Sequence, residues 1–289
     1  MDNIRGAVLM VLAMLGFAGE DMFIKLLSDA ASVGQILVML GFGGATVFGT
    51  IVVIQRKPLF SRDMISAPIG LRALGEMIGT IAFVSALSLT PISSASAILQ
   101  ATPLVVTLGA ALFLNEPVGW RRWSAICVGL FGVLLIIRPG MDSFEVLSLL
   151  AVVAVFMLAL RDLATRRTPS TISTMQLSFL GFLVLVPAGL GLMLATGTPF
   201  VRFAGTQWVY FLSALTIGLF AYYAIVAAMR VGEVSFVTPF RYSRLVFALV
   251  IGVSVFNESP DALTLIGATI IVASGIYTVW RERRVAQRS

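Results

Sequence analysis

Apolar runs of about 20 residues, separated by short polar connections, fill the chain from end to end. A helix rises about 1.5 Å per residue, so each run matches the roughly 30 Å hydrocarbon core of a bilayer. The pattern predicts ten spans, near 5–27, 32–55, 64–89, 93–114, 120–138, 145–165, 171–196, 207–231, 234–256 and 261–280. The first run passes Phe17 into Gly19, Glu20 and Asp21 without a small-residue cleavage site. It therefore reads as a retained helix and not as a signal peptide. Gly41, Gly43, Gly44 and Gly49 on the second run read as close helix packing, and the methionines as core.

The polar exceptions to this pattern carry the functional information. The run from Val234 to Glu258 holds Arg241 and Arg244. A charge at mid-membrane costs about 2.5–3.5 kcal/mol, so such residues face a bundle interior or a watery cavity. Ser235, Thr238 and Tyr242 follow i, i+3, i+7 spacing, one stripe of a helix with Arg241 at its edge. Ser93, Ser96, Gln100, Pro103 and Thr107 make a similar stripe on the fourth span. Arg72, Glu76 and Thr80 form a row on the third, with Arg72 and Glu76 spaced for an intrahelical ion pair. Asp21 and Lys25 have the same spacing on the first span.

The chain repeats at a shift of 142 residues, with no gap required. Leu114-Asn115-Glu116 matches Phe256-Asn257-Glu258, Ser93 maps to Ser235, Ser96 to Thr238, Gln100 to Tyr242 and Glu20 to Asp162. The Arg72, Glu76, Thr80 row maps to Ala214, Gly218 and Tyr222, with Tyr223 beside it. Each half has five spans. An odd number makes the second half enter the membrane from the opposite side, an inverted repeat. Pro103 faces Leu245 and Pro239 faces Ala97 in this register, so any helix break is expected to be asymmetric. Asn115, Glu116, Asn257 and Glu258 read as helix-end residues.

Composition narrows the class. Of 289 residues, 58% are hydrophobic and 12% charged. That is too little charge to cover a soluble protein of this length. There is no histidine and a single cysteine, Cys127. This excludes His-based zinc sites, Ser-His and Cys-His nucleophile pairs, internal disulfides and thiolate clusters. The G-x-G-D signature of intramembrane aspartyl proteases and the Walker signature are both missing from the sequence. With the N-terminus inside, fourteen of the 20 basic residues fall in cytoplasmic segments, three outside and three within spans. Positive-inside bias then places both termini in the cytoplasm, and the net charge of +6 reflects topology and not nucleic-acid binding.

Ten spans in two halves, Gln100 and Pro103, the L-F-L-N-E-P run at 112–117 and the V-F-N-E run at 255–258 resemble the drug/metabolite transporter superfamily, EamA type. Within it the chain is similar to the YddG-type exporters of aromatic and other amino acids. The resemblance covers nearly the whole chain. It implies an all-α polytopic membrane protein, ten transmembrane helices as two five-helix inverted-topology repeats. The halves would be 1–138 and 145–281, with a linker at 139–144 and a cytoplasmic tail at 282–289.

The expected function is export of aromatic and other neutral amino acids across a bacterial inner membrane by alternating access. The chain is expected to be no enzyme, to need no cofactor or metal, and to work as a monomer or weak dimer in the bilayer. The expected cavity residues are Gln100, Tyr242, Tyr222, Tyr223, Thr238, Ser96, Thr80, Glu76, Arg241 and Arg244. The arginines would attract a carboxylate; the tyrosines and Gln100 would hold an apolar or aromatic side chain. Arg72 one turn from Glu76 would keep that acid ionised, a poor proton carrier, so transport is expected to be uncoupled facilitated diffusion. A proton-coupled drug antiporter using Glu20 or Glu76, a lipid-linked sugar flippase and an intramembrane enzyme are the alternatives. Topology is directly testable. Cysteines replacing Arg62 and Arg284 should react only from the cytoplasmic side, and one replacing Asp261 only from outside. External reaction at Arg284→Cys would overturn the odd-span repeat.

Overall fold

The structure is a computed structural model and describes residues 2–113, 119–138, 146–231 and 237–286. Asn115, Glu116, Ser235 and the expected linker at 139–144 lie outside the described residues. The described residues fold as helices. α1 is Asp2–Ser28, α2 Val33–Ile54, α3 Ala67–Leu89, α4 Ile92–Leu99, α5 Thr102–Phe113 and α6 Trp120–Ile137. In the second half α7 is Ser148–Arg166, α8 Thr174–Thr196, α9 Gly205–Val231, α10 Ser243–Phe256 and α11 Ala262–Ala286, with a 3-10 turn at Thr238–Tyr242. Among the described residues nine spans are long and apolar enough to cross a membrane, and Trp123–Ile137 is a shorter apolar helix. With 18 residues, α6 rises about 27 Å, close to a hydrocarbon core. The chain is thus an all-α polytopic membrane protein built as two five-span repeats.

The two halves interlock. The most extensive packing joins α1 to α9, α2 to α8, α3 to α7 and α6 to α11, while α4 lies on α10. Each of these pairs takes one helix from each half. Exchanging the halves turns α1–α9 into α7–α3 and returns α2–α8 and α6–α11 to themselves. A pseudo-two-fold axis therefore runs between the members of those two pairs. In lipid such contacts depend on close backbone approach. Gly34 and Gly189 provide it between α2 and α8: a Cβ on Gly189 would lie 2.4 Å from the Gly34 carbonyl oxygen.

Caps fix where the paired helices start. Ser32 accepts from the Gln35 N–H and opens α2. Ser173 and Gln176 form a reciprocal capping box at the start of α8. The two glutamines then reach across the two-fold. Gln35 donates to the Val201 carbonyl at 2.7 Å and accepts from the Val201 N–H at 2.8 Å. Gln176 donates to the Pro58 carbonyl at 2.8 Å. Each second helix of a half thus holds the loop that follows the second helix of the other half. The caps are separated by 141 residues, not 142, which corrects the gapless register: the connection before α2 is effectively one residue longer than its counterpart.

The breaks also correct expectation. The fourth span stops at Leu99 and restarts at Thr102; the ninth runs through the 3-10 turn and becomes α-helical at Ser243. At a shift of 142 those interruptions coincide to within a residue, so the break is symmetric. Pro103 lies in the first turn of α5 and Pro239 in the first turn of the 3-10 segment. Proline lacks an N–H and clashes with the preceding turn, so two differently placed prolines interrupt equivalent points. The 3-10 winding also removes the α-helical phase assumed for Thr238 and Tyr242.

At one face Arg138, the left-handed C-cap of α6, hydrogen-bonds Asp261 and Thr264. The bond from Arg138, followed by those from the Thr264 N–H and side chain, holds the Asp261 carboxyl well below the usual carboxylate range. The glutamine clamp gives a stability test. Gln35→Leu removes both bonds to the Val201 backbone, a loss of about 0.5–1.5 kcal/mol for each. Melting in detergent should fall by several degrees, and Gln176→Leu should do the same more weakly. An unchanged melting temperature for Gln35→Leu would show that the clamp contributes nothing.

Candidate functional site

The two broken spans meet. Gln100 ends α4 and is 9% exposed. Its side-chain amide donates to the Arg241 carbonyl at 3.3 Å. Gln100 and Tyr242, equivalent in the repeat, are thereby brought to adjacent places at the crossing of α4 with α10. Tyr242 is 5% exposed, and its hydroxyl has no hydrogen-bond partner among the described residues. It abuts Gly275 of α11, where no side chain could fit. Ser96, one turn before Gln100 and 1% exposed, likewise has a hydroxyl without a partner.

The neighbouring helix ends are capped by charges that the sequence placed elsewhere. Lys25 donates to the carbonyls of Leu87 at 2.7 Å and Thr90 at 2.5 Å, closing the C-terminus of α3. It does not pair with Asp21, which corrects that expectation. An ammonium at a helix C-terminus meets orphan carbonyls and the negative end of the dipole together. Glu258 accepts from the N–H groups of Ile92 at 2.6 Å and Ser93 at 3.1 Å and from the Ser93 hydroxyl at 2.6 Å. It is the helix-end residue expected, but the helix it caps is α4 of the other half.

Two ion clusters brace the bundle. Glu76 holds Arg72 at 3.6 Å, as its i, i+4 spacing predicts, and Arg161 of α7 at 3.1 Å. Thr80 donates to Glu76 at 3.5 Å, and Arg161 also pairs with Asp162 at 2.9 Å. Arg161, which was not among the expected cavity residues, lies inside a span. Its cue was an arginine next to an acid near the end of an apolar run. In the second cluster Arg244 pairs with buried Asp21 at 2.6 Å, its guanidinium lying over Phe17 at 5.4 Å and Phe83 at 5.5 Å. The expected surplus of two arginines therefore reduces to one. Arg241 makes no ion pair within 4 Å among the described residues.

The remaining expected residues divide. Thr238 opens the 3-10 turn beside this crossing. Tyr222 lies further off, edge-on to Phe48 at 5.0 Å with its hydroxyl on Ser178. Tyr223 is 68% exposed on the outside of α9 and is not brought to the site. Successive helical residues point about 100° apart, so both could not face inward. An apolar groove of about 510 Å³ between α2 and α8 contains none of these residues.

Residues 4–138 and 147–280 each match the EamA-like transporter family. The chain is 33% identical over 208 residues to the riboflavin transporter of Vibrio cholerae, covering 68% of this chain and 67% of that one. It is 26% identical over 222 residues to the S-adenosylmethionine uptake transporter of Rickettsia bellii, covering 75% and 74%. It is 23% identical over 272 residues to the pseudopaline exporter CntI of Pseudomonas aeruginosa, covering 94% of each chain. A crystal structure with a TM-score of 0.62 and 17% identity covers 95% of this chain and 98% of that one, a likeness of fold.

The Asp21–Arg244 pair yields a double-variant test. Arg244→Leu leaves a buried carboxylate without its cation, a loss of about 3–5 kcal/mol. Asp21→Asn combined with Arg244→Leu removes both charges and should recover most of the melting temperature. A double variant as unstable as Arg244→Leu alone would mean that aromatic packing, and not the ion pair, sets the stability.

Proposed function

The chain belongs to the EamA-like transporter family, and from that premise we propose that it is a secondary transporter of small solutes bearing an amino-acid headgroup, exporting neutral and aromatic amino acids. The observation that carries this reading is Arg241, which lies beside the break in the ninth span without an ion pair among the described residues. A guanidinium matches a carboxylate with two parallel hydrogen bonds. The unpartnered hydroxyls of Tyr242 and Ser96 are further polar groups at depth. A buried polar atom without a partner is unfavourable, and a solute can supply the missing bond. S-adenosylmethionine, carried by the Rickettsia relative, ends in an amino-acid headgroup. The Pseudomonas relative is an exporter. We place the protein in a bacterial inner membrane with both termini cytoplasmic, as a monomer or weak dimer.

A second reading, a flavin solute, is favoured by the Vibrio relative. Counterflow into proteoliposomes separates the two. Labelled phenylalanine, S-adenosylmethionine, riboflavin and a cationic dye would be compared. We expect exchange of the amino-acid solutes. Arg241→Leu should weaken it roughly 10- to 100-fold, the equivalent of one charge-assisted hydrogen bond of about 1.5–3 kcal/mol. Exchange of riboflavin alone, or full activity in Arg241→Leu, would overturn the amino-acid reading.

A further inference from the structure

The two symmetry-related cross-half helix pairs treat their membrane-embedded acids differently. In one, Glu76 and Asp162 are neutralised by Arg72 and Arg161 between α3 and α7. The two-fold carries that helix pair onto α9 and α1. At a shift of 142, Arg72 becomes Ala214, Glu76 becomes Gly218, Arg161 becomes Gly19 and Asp162 becomes Glu20. Three members of a four-residue ion cluster are replaced by residues without a functional group. The fourth survives as a carboxylate.

Its surroundings match that substitution pattern. The Glu20 carboxylate lies directly on Gly218, where an added Cβ would be 2.5 Å from Oε1. Ala214, one turn away on α9, is fully buried. Glu20 makes no ion pair or hydrogen bond among the described residues. The charged groups facing it are Asp21 on its own helix and Arg244 on α10. Arg244 is committed to Asp21 at 2.6 Å, so the pair is neutral and leaves no cation for Glu20. On α9 the contact is glycine. On α3 the nearest acid in the repeat, Glu76, belongs to the arginine cluster. A carboxylate in a membrane span without a counter-ion is held neutral by a proton or gives that proton up when a cation arrives.

We propose that Glu20 is a proton-binding site that links the conformational exchange of the carrier to a proton gradient. The coupling rests on the transporter reading above; the site does not. It replaces the expectation of uncoupled transport, which weighed Glu76 alone. The Gly218 contact makes proton occupancy depend on how α1 sits against α9, and α1–α9 is one of the cross-half pairs that must shift when one half rocks against the other.

Carbodiimide labelling tests the site without a known solute. Dicyclohexylcarbodiimide adds to a protonated carboxyl, and the O-acylisourea rearranges to a stable N-acylurea with no group leaving. Full-length protein in liposomes would be treated between about pH 6 and pH 9 and mapped by peptide mass spectrometry. We expect an adduct at Glu20 that falls at least tenfold as pH rises, with Asp21, Glu76 and Asp162 unmodified. Glu20→Gln should lose it, and Gly218→Ala should diminish it by covering the carboxyl. No adduct at Glu20 at any pH, or protection by sodium at constant pH, would overturn the proposal. With a pH-sensitive dye inside the liposomes, any exchanged solute should move protons in the native protein and not in Glu20→Gln. Solute exchange without proton movement in the native protein would overturn the coupling. If the panel contains no solute, the substrate reading fails while the labelling still decides the site.

Discussion

A bilayer offers no water to a broken helix. Every backbone group freed by an interruption must find a partner inside the protein. The fourth and ninth spans are both interrupted at mid-membrane, and much of the polar chemistry here answers that constraint. At the break Gln100 takes the Arg241 carbonyl, and at the turn between the third and fourth spans Lys25 closes α3 and Glu258 closes α4. The partner comes from another segment each time, and for Gln100 and Glu258 from the other half. Interruption and interlocking are therefore one design: neither half could bury its broken helix alone.

The spans, the helical class and the repeat could be read from the sequence because lipid imposes a strong, local signal. Twenty apolar residues report a span whatever surrounds them. Partner choice is not local. Arg72 and Glu76 were legible because both lie on one helix at i, i+4. Asp21 and Lys25 have the same spacing, yet Asp21 goes to Arg244, more than 200 positions away in sequence, and Lys25 to backbone carbonyls. Spacing can show that two charges could meet. It cannot show that a third group meets one of them better.

The symmetric break illustrates a different limit. Aligning residue identities placed Pro103 and Pro239 at unrelated positions and predicted asymmetry. The structure has both interruptions in register because the backbone responds to where a proline disrupts the preceding turn, and more than one position gives the same interruption. Tyr222 and Tyr223 show the same gap at side-chain scale. Their row was visible as a polar patch on α9, but helix rotation decides which face is buried, and only packing fixes the rotation.

Paired charges add little driving force in a membrane protein; their value is to fix which helices are neighbours. The unpaired charges are therefore the informative ones. Among the described spans Arg241 has no ion pair, and Glu20 has neither an ion pair nor a hydrogen bond. One is a cation and the other an acid, on helices from opposite halves. In the proposed cycle a carboxylate solute occupies the first and a proton the second. The loaded carrier then contains no isolated charge in a low-dielectric interior, where a charge is most costly. With the solute gone and the proton retained, Arg241 stands alone and the barrier to rocking rises. A carrier wired in this way moves both loads in one direction through shared electrostatic cost, so export runs on a high internal solute concentration and carries protons out with it.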